Sequence, residues 1–248
     1  MSAIAVVGGT GTIGRHVAVT LRAAGADVRV LHRGSGEYPV DLETGTGLDA
    51  ALAGCEVVVD ASNGPPRHPE GVIVQGSAGL VAAAERAGVG HLVCVSIVGI
   101  EVVPTRYYRA KLAQEQTVRG SNVPWSIVRS TQFHELLDAT CSGFARWRAS
   151  PRPSAILQPV SALEAGRAVA EVAMRPATRA TLTVAGPQAQ EASALARAWC
   201  RERRRRCLPV AVPLPGDIGR AVRAGALTCS TPDVQGETSF VQWLRAKI

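Results

Sequence analysis

Ala3-Ile4-Ala5-Val6-Val7-Gly8-Gly9-Thr10-Gly11-Thr12-Ile13-Gly14-Arg15-His16 is the stretch that decides how this chain folds. Its apolar run predicts a buried strand, the glycines at 8, 11 and 14 a tight turn, and the residues after them a helix. Each glycine has its own physical task. Gly8 lets the chain turn, Gly11 lets the backbone approach a pyrophosphate, and Gly14 lets the helix pack close to the strand. A helix start also offers unpaired N–H groups and the positive end of its dipole to such an anion. The alternative is a glycine-rich turn with no ligand. It gives no reason for this spacing between a strand and a helix.

Further along, residues 13–24 continue the helical pattern to Gly25, and Asp27-Val28-Arg29-Val30-Leu31-His32-Arg33 predicts a second strand. A site for NAD places an acidic residue at this strand end, where it holds the ribose 2′-hydroxyl. Here His32 and Arg33 occupy that end, and Glu37 and Asp41 come later. Cations suit the additional phosphate of NADP. Arg15, in the first turn of the helix, is placed to reach the same phosphate. Arg33 as an ordinary surface arginine is the alternative.

Composition sets the bounds. The 248 residues suffice for one α/β domain with a small appended lobe, and 46% apolar with 19% charged residues is a globular mixture. Aromatic residues at 4% argue against a stacking platform for single-stranded nucleic acid. Much of the net charge of +7 comes from Arg201, Arg203, Arg204, Arg205 and Arg206. Such a run binds phosphate backbones or forms a solvated helix end, and nothing else in the chain supports nucleic acid. The six cysteines show no CxxC spacing and no clustering with histidine, so no metal site and a reducing, cytoplasmic compartment are expected. Neither a signal peptide nor a membrane span is expected.

Strand and helix patterns then alternate. Cys55–Ala61 predicts a buried strand running into Ser62-Asn63-Gly64-Pro65-Pro66, and residues 70–87 a helix. His91–Val95 predicts a strand with Ser96 at its mouth, 105–119 a helix, and Ser126–Arg129 a strand followed by Ser130-Thr131-Gln132-Phe133-His134-Glu135. This alternation implies a mainly parallel sheet covered on both faces. After 134 the pattern loosens. Pro151 and Pro153 are expected to break the chain, and Pro209, Pro213 and Pro215 to punctuate a loop.

Tyr107 and Lys111 are four apart and share one helix face. A nearby ammonium is expected to lower the phenol's pKa and make Tyr107 a proton donor to a carbonyl oxygen receiving hydride. Ser96, ending the preceding strand at the same sheet edge, would polarise that oxygen. Tyr108 competes for the donor role, and a surface tyrosine lying on a lysine stem is the alternative. His134 either points into the cleft or caps the following helix.

The chain resembles the atypical short-chain dehydrogenase/reductase superfamily, in its NmrA-like, NAD(P)H-binding branch. The resemblance rests on Gly8–Gly14, Val95–Gly99, Tyr107–Glu115 and Trp125–Phe133. It implies a Rossmann-type doubly wound sheet of about seven strands with a small C-terminal substrate lobe. The boundaries expected are a cofactor-binding core over 1–133, a lobe over 134–158 and 187–248, and a return to the core over 159–186. It implies NADP(H) contacts at Gly8, Thr10, Gly11, Thr12, Ile13, Gly14 and Arg33. It further implies adenine contacts at Asp41 and Leu42, ribose contacts at Ala61, Ser62 and Asn63, and nicotinamide contacts at Lys111, Thr131, Gln132 and Phe133. Tyr107, Lys111 and Ser96 match the catalytic signature, with a shortened spacing from Ser96 to Tyr107. The activity expected is an NADPH-dependent reductase passing hydride to a carbonyl or quinone-like, aromatic or apolar small molecule. His134, Tyr108 and Trp147 would line that substrate's site, in a monomer or homodimer. The alternatives are a cofactor-retaining epimerase or dehydratase, and a non-catalytic sensor of cofactor redox state.

Overall fold

The computed structural model describes residues 3–34, 36–65 and 67–247. Pro66, in the predicted strand-mouth loop, lies outside the described residues. The elements begin with β1 (Ala3–Val7), α1 (Gly14–Ala23), β2 (Asp27–His32), β3 (Tyr38–Pro39), α2 (Leu48–Leu52) and β4 (Cys55–Asp60). A π-helical segment (Glu70–Gln75) runs into α3 (Gly76–Arg86). Next come β5 (His91–Ile97), α4 (Arg106–Arg119), β6 (Trp125–Ser130), α5 (His134–Ala145), β7 (Ala149–Pro153), β8 (Ile156–Leu157) and α6 (Ala162–Ala173). They are followed by β9 (Thr181–Ala185), β10 (Gln190–Glu191), α7 (Ala192–Glu202), β11 (Leu208–Val212), α8 (Gly216–Arg223), β12 (Val234–Gln235) and α9 (Phe240–Ala246).

Eight strands form one sheet in the order β12-β9-β6-β5-β4-β1-β2-β3. The ladders joining β1 to β2, β1 to β4, β4 to β5, β2 to β3 and β9 to β12 are parallel. Strands of this kind are covered on both faces, so they need apolar residues in succession. All five residues of β1 are buried, as are Val58, Val59, Leu92, Val93 and Cys94. The fold is a doubly wound Rossmann-type sheet with one strand more than the seven expected. The addition is β12, two residues beside β9, too short to leave a periodic signal. The strand order reverses at β1, between β2 and β4, and ligands of open α/β sheets bind at the carboxyl ends of such a pair.

Helix α1 buries Gly14, Val17, Ala18 and Leu21, the i, i+3, i+4, i+7 spacing of a helix with one face on a sheet. Gly25 ends it at φ +86, with nothing within 4 Å of where a side chain would begin. Pro151, Pro153 and Pro209 lie in strands and not in breaks of the chain, whereas Pro213 and Pro215 lie in the loop before α8, as expected. β7 and β11 form a separate parallel pair with Leu208 opposite Ala149 and Val212 opposite Pro153. A two-stranded ribbon is all edge, and edges accept proline.

Two compact units make up the chain. The first comprises Met1–Ser96, Arg106–Arg129 and Gly166–Leu182. Its core includes Leu31, Leu52, Leu80, Leu92 and Ile127, all almost wholly enclosed. Burial stabilises by about 1.5–3 kcal/mol for each such side chain. The second comprises Ile97–Thr105, Ser130–Ala165 and Thr183–Ile248. It gathers Leu195, Trp199, Phe240, Trp243 and Leu244 into its own cluster. Among the described residues no helix is long and apolar enough to cross a membrane.

Candidate active site

The glycine turn joins β1 to α1 at the carboxyl edge of the sheet. Gly8 has φ +69, and a Cβ on it would stand 2.8 Å from the Ala61 carbonyl oxygen. A Cβ on Gly14 would stand 2.2 Å from the Gly8 carbonyl oxygen, and one on Gly9 2.8 Å from Val30 Cγ1. Gly11 is different: a Cβ there would meet one neighbour, the Gly8 oxygen at 3.1 Å, and the residue is exposed along with Thr10 and Thr12. Gly8 and Gly14 thus shape the turn, and Gly11 leaves its outer surface open. The amides of Arg15, His16 and Val17 turn back to Gly11 and Ile13. Among the described residues no backbone carbonyl accepts from the amides of Thr12, Ile13 or Gly14. These are the donors a helix start holds out to an anion.

Around this turn, Ala61 and Ser62 are buried against Gly8, and the Ser62 hydroxyl is enclosed without a hydrogen-bond partner among the described residues. Arg15 and Arg33 are exposed. His32 is engaged: its Nδ1 accepts from the Gly34 amide at 2.9 Å, and Gly34 and Gly36 lie close against its ring. Asp41 Oδ1 accepts from the Glu43 amide at 2.9 Å. Leu42 packs in the core, against Gly76.

The Tyr107 hydroxyl donates to Asn63 Oδ1 at 2.7 Å. Asn63 directly follows the two residues packed on Gly8, so the phenol stands at the same sheet edge as the turn. Burial, with the Tyr108 phenol beside it, pushes the Tyr107 hydroxyl up to about 12. This reverses the lowering expected from Lys111. The ammonium does not face the phenol. Lys111 is 3% exposed; its Nζ donates to the Val95 carbonyl at 2.7 Å and to the Gln114 side-chain oxygen. Gln114 passes the polarity inward, donating from Nε2 to Asp60 Oδ2 at 2.7 Å and Ser77 Oγ at 2.8 Å. Ser96 is likewise drawn inward, 1% exposed, with its hydroxyl beside the Glu115 carboxylate. Burial works to raise Glu115, but two Arg129 hydrogen bonds of 2.8 and 2.6 Å and the Ser96 hydroxyl outweigh it and hold the acid below its usual range. The structure therefore brings Tyr107 to Asn63 and does not join Tyr107, Lys111 and Ser96 in one hydrogen-bonded set. Tyr108 packs beside Tyr107 with ring centroids 5.9 Å apart.

The remaining candidates lie in the second unit. The Thr131 amide donates to Val184 and its hydroxyl accepts from the Gly186 amide. Gln132 donates to the Leu227 carbonyl at 2.9 Å, and Phe133 bridges to Val160. His134 is wholly buried, with Nε2 2.9 Å from the Thr238 carbonyl oxygen and its ring 5.5 and 5.6 Å from those of Phe240 and Trp243. Burial lowers its pKa. The ring is enclosed by this packing, and its Nδ1 has no hydrogen-bond partner among the described residues. Trp147 is at the opposite extreme, 86% exposed.

Residues 8–140, more than half of the chain, match the family described as NAD(P)H-binding. The chain belongs to this family. Among its relatives, the (4-alkanoyl-5-oxo-2,5-dihydrofuran-3-yl)methyl phosphate reductase of Streptomyces griseus is 36% identical over 142 residues, 52% of this chain and 48% of that protein. The photosystem II assembly factor Ycf39 of Trieres chinensis is 28% identical over 145 residues, 52% of this chain and 46% of that protein. The chain thus spans about half the length of these two relatives. The NADPH-dependent quinone oxidoreductase QOR2 of Escherichia coli, solved with NADPH, is similar in fold. Its TM-score is 0.83 at 15% identity, over 98% of this chain and 99% of that chain.

For an NAD(P)H-binding protein the turn has the right form: crowded where it must hold shape, open where a pyrophosphate would lie, with an enclosed hydroxyl beside it. Gln114, Asp60, Ser77, Glu115 and Arg129 escaped the sequence reading. One signal was present. Asp60 ends an apolar strand, and a buried carboxylate requires partners.

Proposed function

We propose that the chain is an NADPH-dependent reductase that passes hydride to a carbonyl or quinone-like small molecule. The observation that carries this reading is the Tyr107–Asn63 hydrogen bond at the edge that holds the glycine turn. Gly8, Gly11 and Gly14, with the backbone of Thr10, Thr12 and Ile13, would hold the pyrophosphate. The exposed Arg33 and Arg15, together with His32, would take the 2′-phosphate. Asp41 and Leu42 would border the adenine, and Ala61, Ser62 and Asn63 the adjoining ribose. The substrate lobe is read as 134–158 and 187–248, with 159–186 returning to the core. The Thr131–Phe133 backbone, at the end of the core, would border the nicotinamide end, and in the lobe the exposed Trp147 is available to an apolar ligand.

Bound there, the nicotinamide ring supplies a hydride. Tyr107 has the complementary task. A phenol at about 12 stays protonated at neutral pH and gives its proton only to a strong base, such as the alkoxide oxygen left when hydride adds to a carbonyl. Asn63 accepts from the same hydroxyl and orients it. Lys111 acts at one remove, fixing α4 to β5 through the Val95 carbonyl. The name of the Streptomyces griseus relative also supports a reductase.

Tyr107→Phe is expected to lower kcat for a carbonyl substrate by about 10²–10⁴-fold, the usual worth of a positioned acid, and to leave NADPH affinity unchanged. The wild-type rate is expected to be flat from about pH 7 to pH 10, since an acid is lost only as pH rises through its pKa. A steady-state pH profile of both proteins checks this, and full activity in the phenylalanine variant removes Tyr107 from the mechanism.

A second reading has its own support. With Lys111 and Ser96 turned into the core, the site can hold the dinucleotide without turnover and act as a sensor. Tight NADPH binding with no oxidation on a carbonyl and quinone panel would favour it.

A further inference from the structure

A cavity of about 770 Å³ opens in the second unit, within the size range of small-molecule sites. Four arginines line it, and they come from two turns. Arg146 and Arg148 follow α5, and Arg203 and Arg205 follow α7. The parallel β7–β11 ladder fixes the turns side by side, with the Leu208 amide donating to the Arg148 carbonyl at 2.8 Å. One carboxylate shares the wall. Asp138 accepts from Trp199 Nε1 at 2.7 Å and lies 3.7 Å from Arg203 Nη2. Among the described residues Arg146, Arg148 and Arg205 have no carboxylate within 4 Å.

We propose that this cavity binds the phosphate group of a small-molecule ligand, at a site separate from the glycine turn. The helix C-termini at the two turns account for some positive charge, because their dipoles favour cations. They do not account for the backbone. Arg148 and Arg204 adopt φ +54 and φ +50, the left-handed region that a residue with a Cβ seldom occupies. Glycine is the usual occupant after a helix. In the first turn an arginine stands in that strained position with its side chain on the cavity. In the second, the strained residue sits between the two arginines that line it. Guanidinium groups drawn from two directions suit the several oxygens of a phosphate. The concave shape favours a small ligand over a nucleic-acid backbone, which runs along an extended basic surface.

Calorimetric titration of the full chain with inorganic pyrophosphate tests this. The glycine turn also accepts this probe, so the decisive quantity is the component that depends on the arginines. Wild type is expected to show a saturable component that weakens at least about tenfold in Arg148→Gly/Arg205→Ala, as loss of charged hydrogen bonds implies. Arg206→Ala, outside the cavity wall, is expected to leave it unchanged. Arg205→Ala alone, at an exposed position, gives the same direction if the double variant folds poorly. Equal binding in wild type and the arginine variants, or no saturable component, overturns the proposal. So does arginine-dependent binding of a 20-base-pair duplex that pyrophosphate fails to displace.

Discussion

Gly14→Ala is expected to weaken NADPH binding by about 100-fold, roughly 2.7 kcal/mol, with the overall helix content retained. A Cβ there would stand 2.2 Å from the Gly8 carbonyl oxygen and 2.9 Å from Gly9 Cα. Both are backbone atoms and neither can rotate away. The turn must reopen, and the amides of Thr12, Ile13 and Gly14 lose their common aim. Gly25→Ala is the matched control. Gly25 also has positive φ, at +86, but meets nothing within 4 Å. That change should cost about 1–2 kcal/mol of stability and leave the affinity alone. Fluorescence titration of NADPH with circular dichroism on both variants separates the two effects. Equal affinity in Gly14→Ala and wild type would mean that the turn does not hold the dinucleotide.

Lys111→Met is expected to destabilise the fold by about 3–5 kcal/mol, the cost of removing one partner from a buried ionic network. Gln114 would keep its amide on Asp60 and Ser77 but lose the ammonium on its oxygen, and the Val95 carbonyl would lose its donor. For a chain of this length that is a fall in Tm of roughly 10 °C. A thermal melt without cofactor reads it directly. An unchanged Tm would mean that the lysine does not brace α4, and that its place in the signature serves the cofactor alone.

The sequence reading and the structure agree where local chemistry is decisive. The glycine turn, the helix after it and the buried strands β1, β4 and β5 each depend on residues close together, so their pattern is visible in one dimension. The spacing of Tyr107 and Lys111 correctly placed them on one helix. It carried no information on which way a long lysine stem leans. That is set by the Val95 carbonyl and by Gln114, which competes successfully for the ammonium. His134 was illegible for a similar reason: the residues that enclose it, Thr238, Phe240 and Trp243, lie more than 100 positions later. The β7–β11 ribbon was hidden by its prolines, which are excluded from sheet interiors but not from edges.

The most direct test of the account compares the dissociation constants of NADPH and NADH, for wild type and Arg33→Ala, by nicotinamide fluorescence at one ionic strength. The account predicts that wild type holds NADPH at least about tenfold more tightly than NADH, as expected for charged hydrogen bonds to the additional phosphate, and that Arg33→Ala removes most of that preference. Equal affinity for the two dinucleotides in wild type would contradict it.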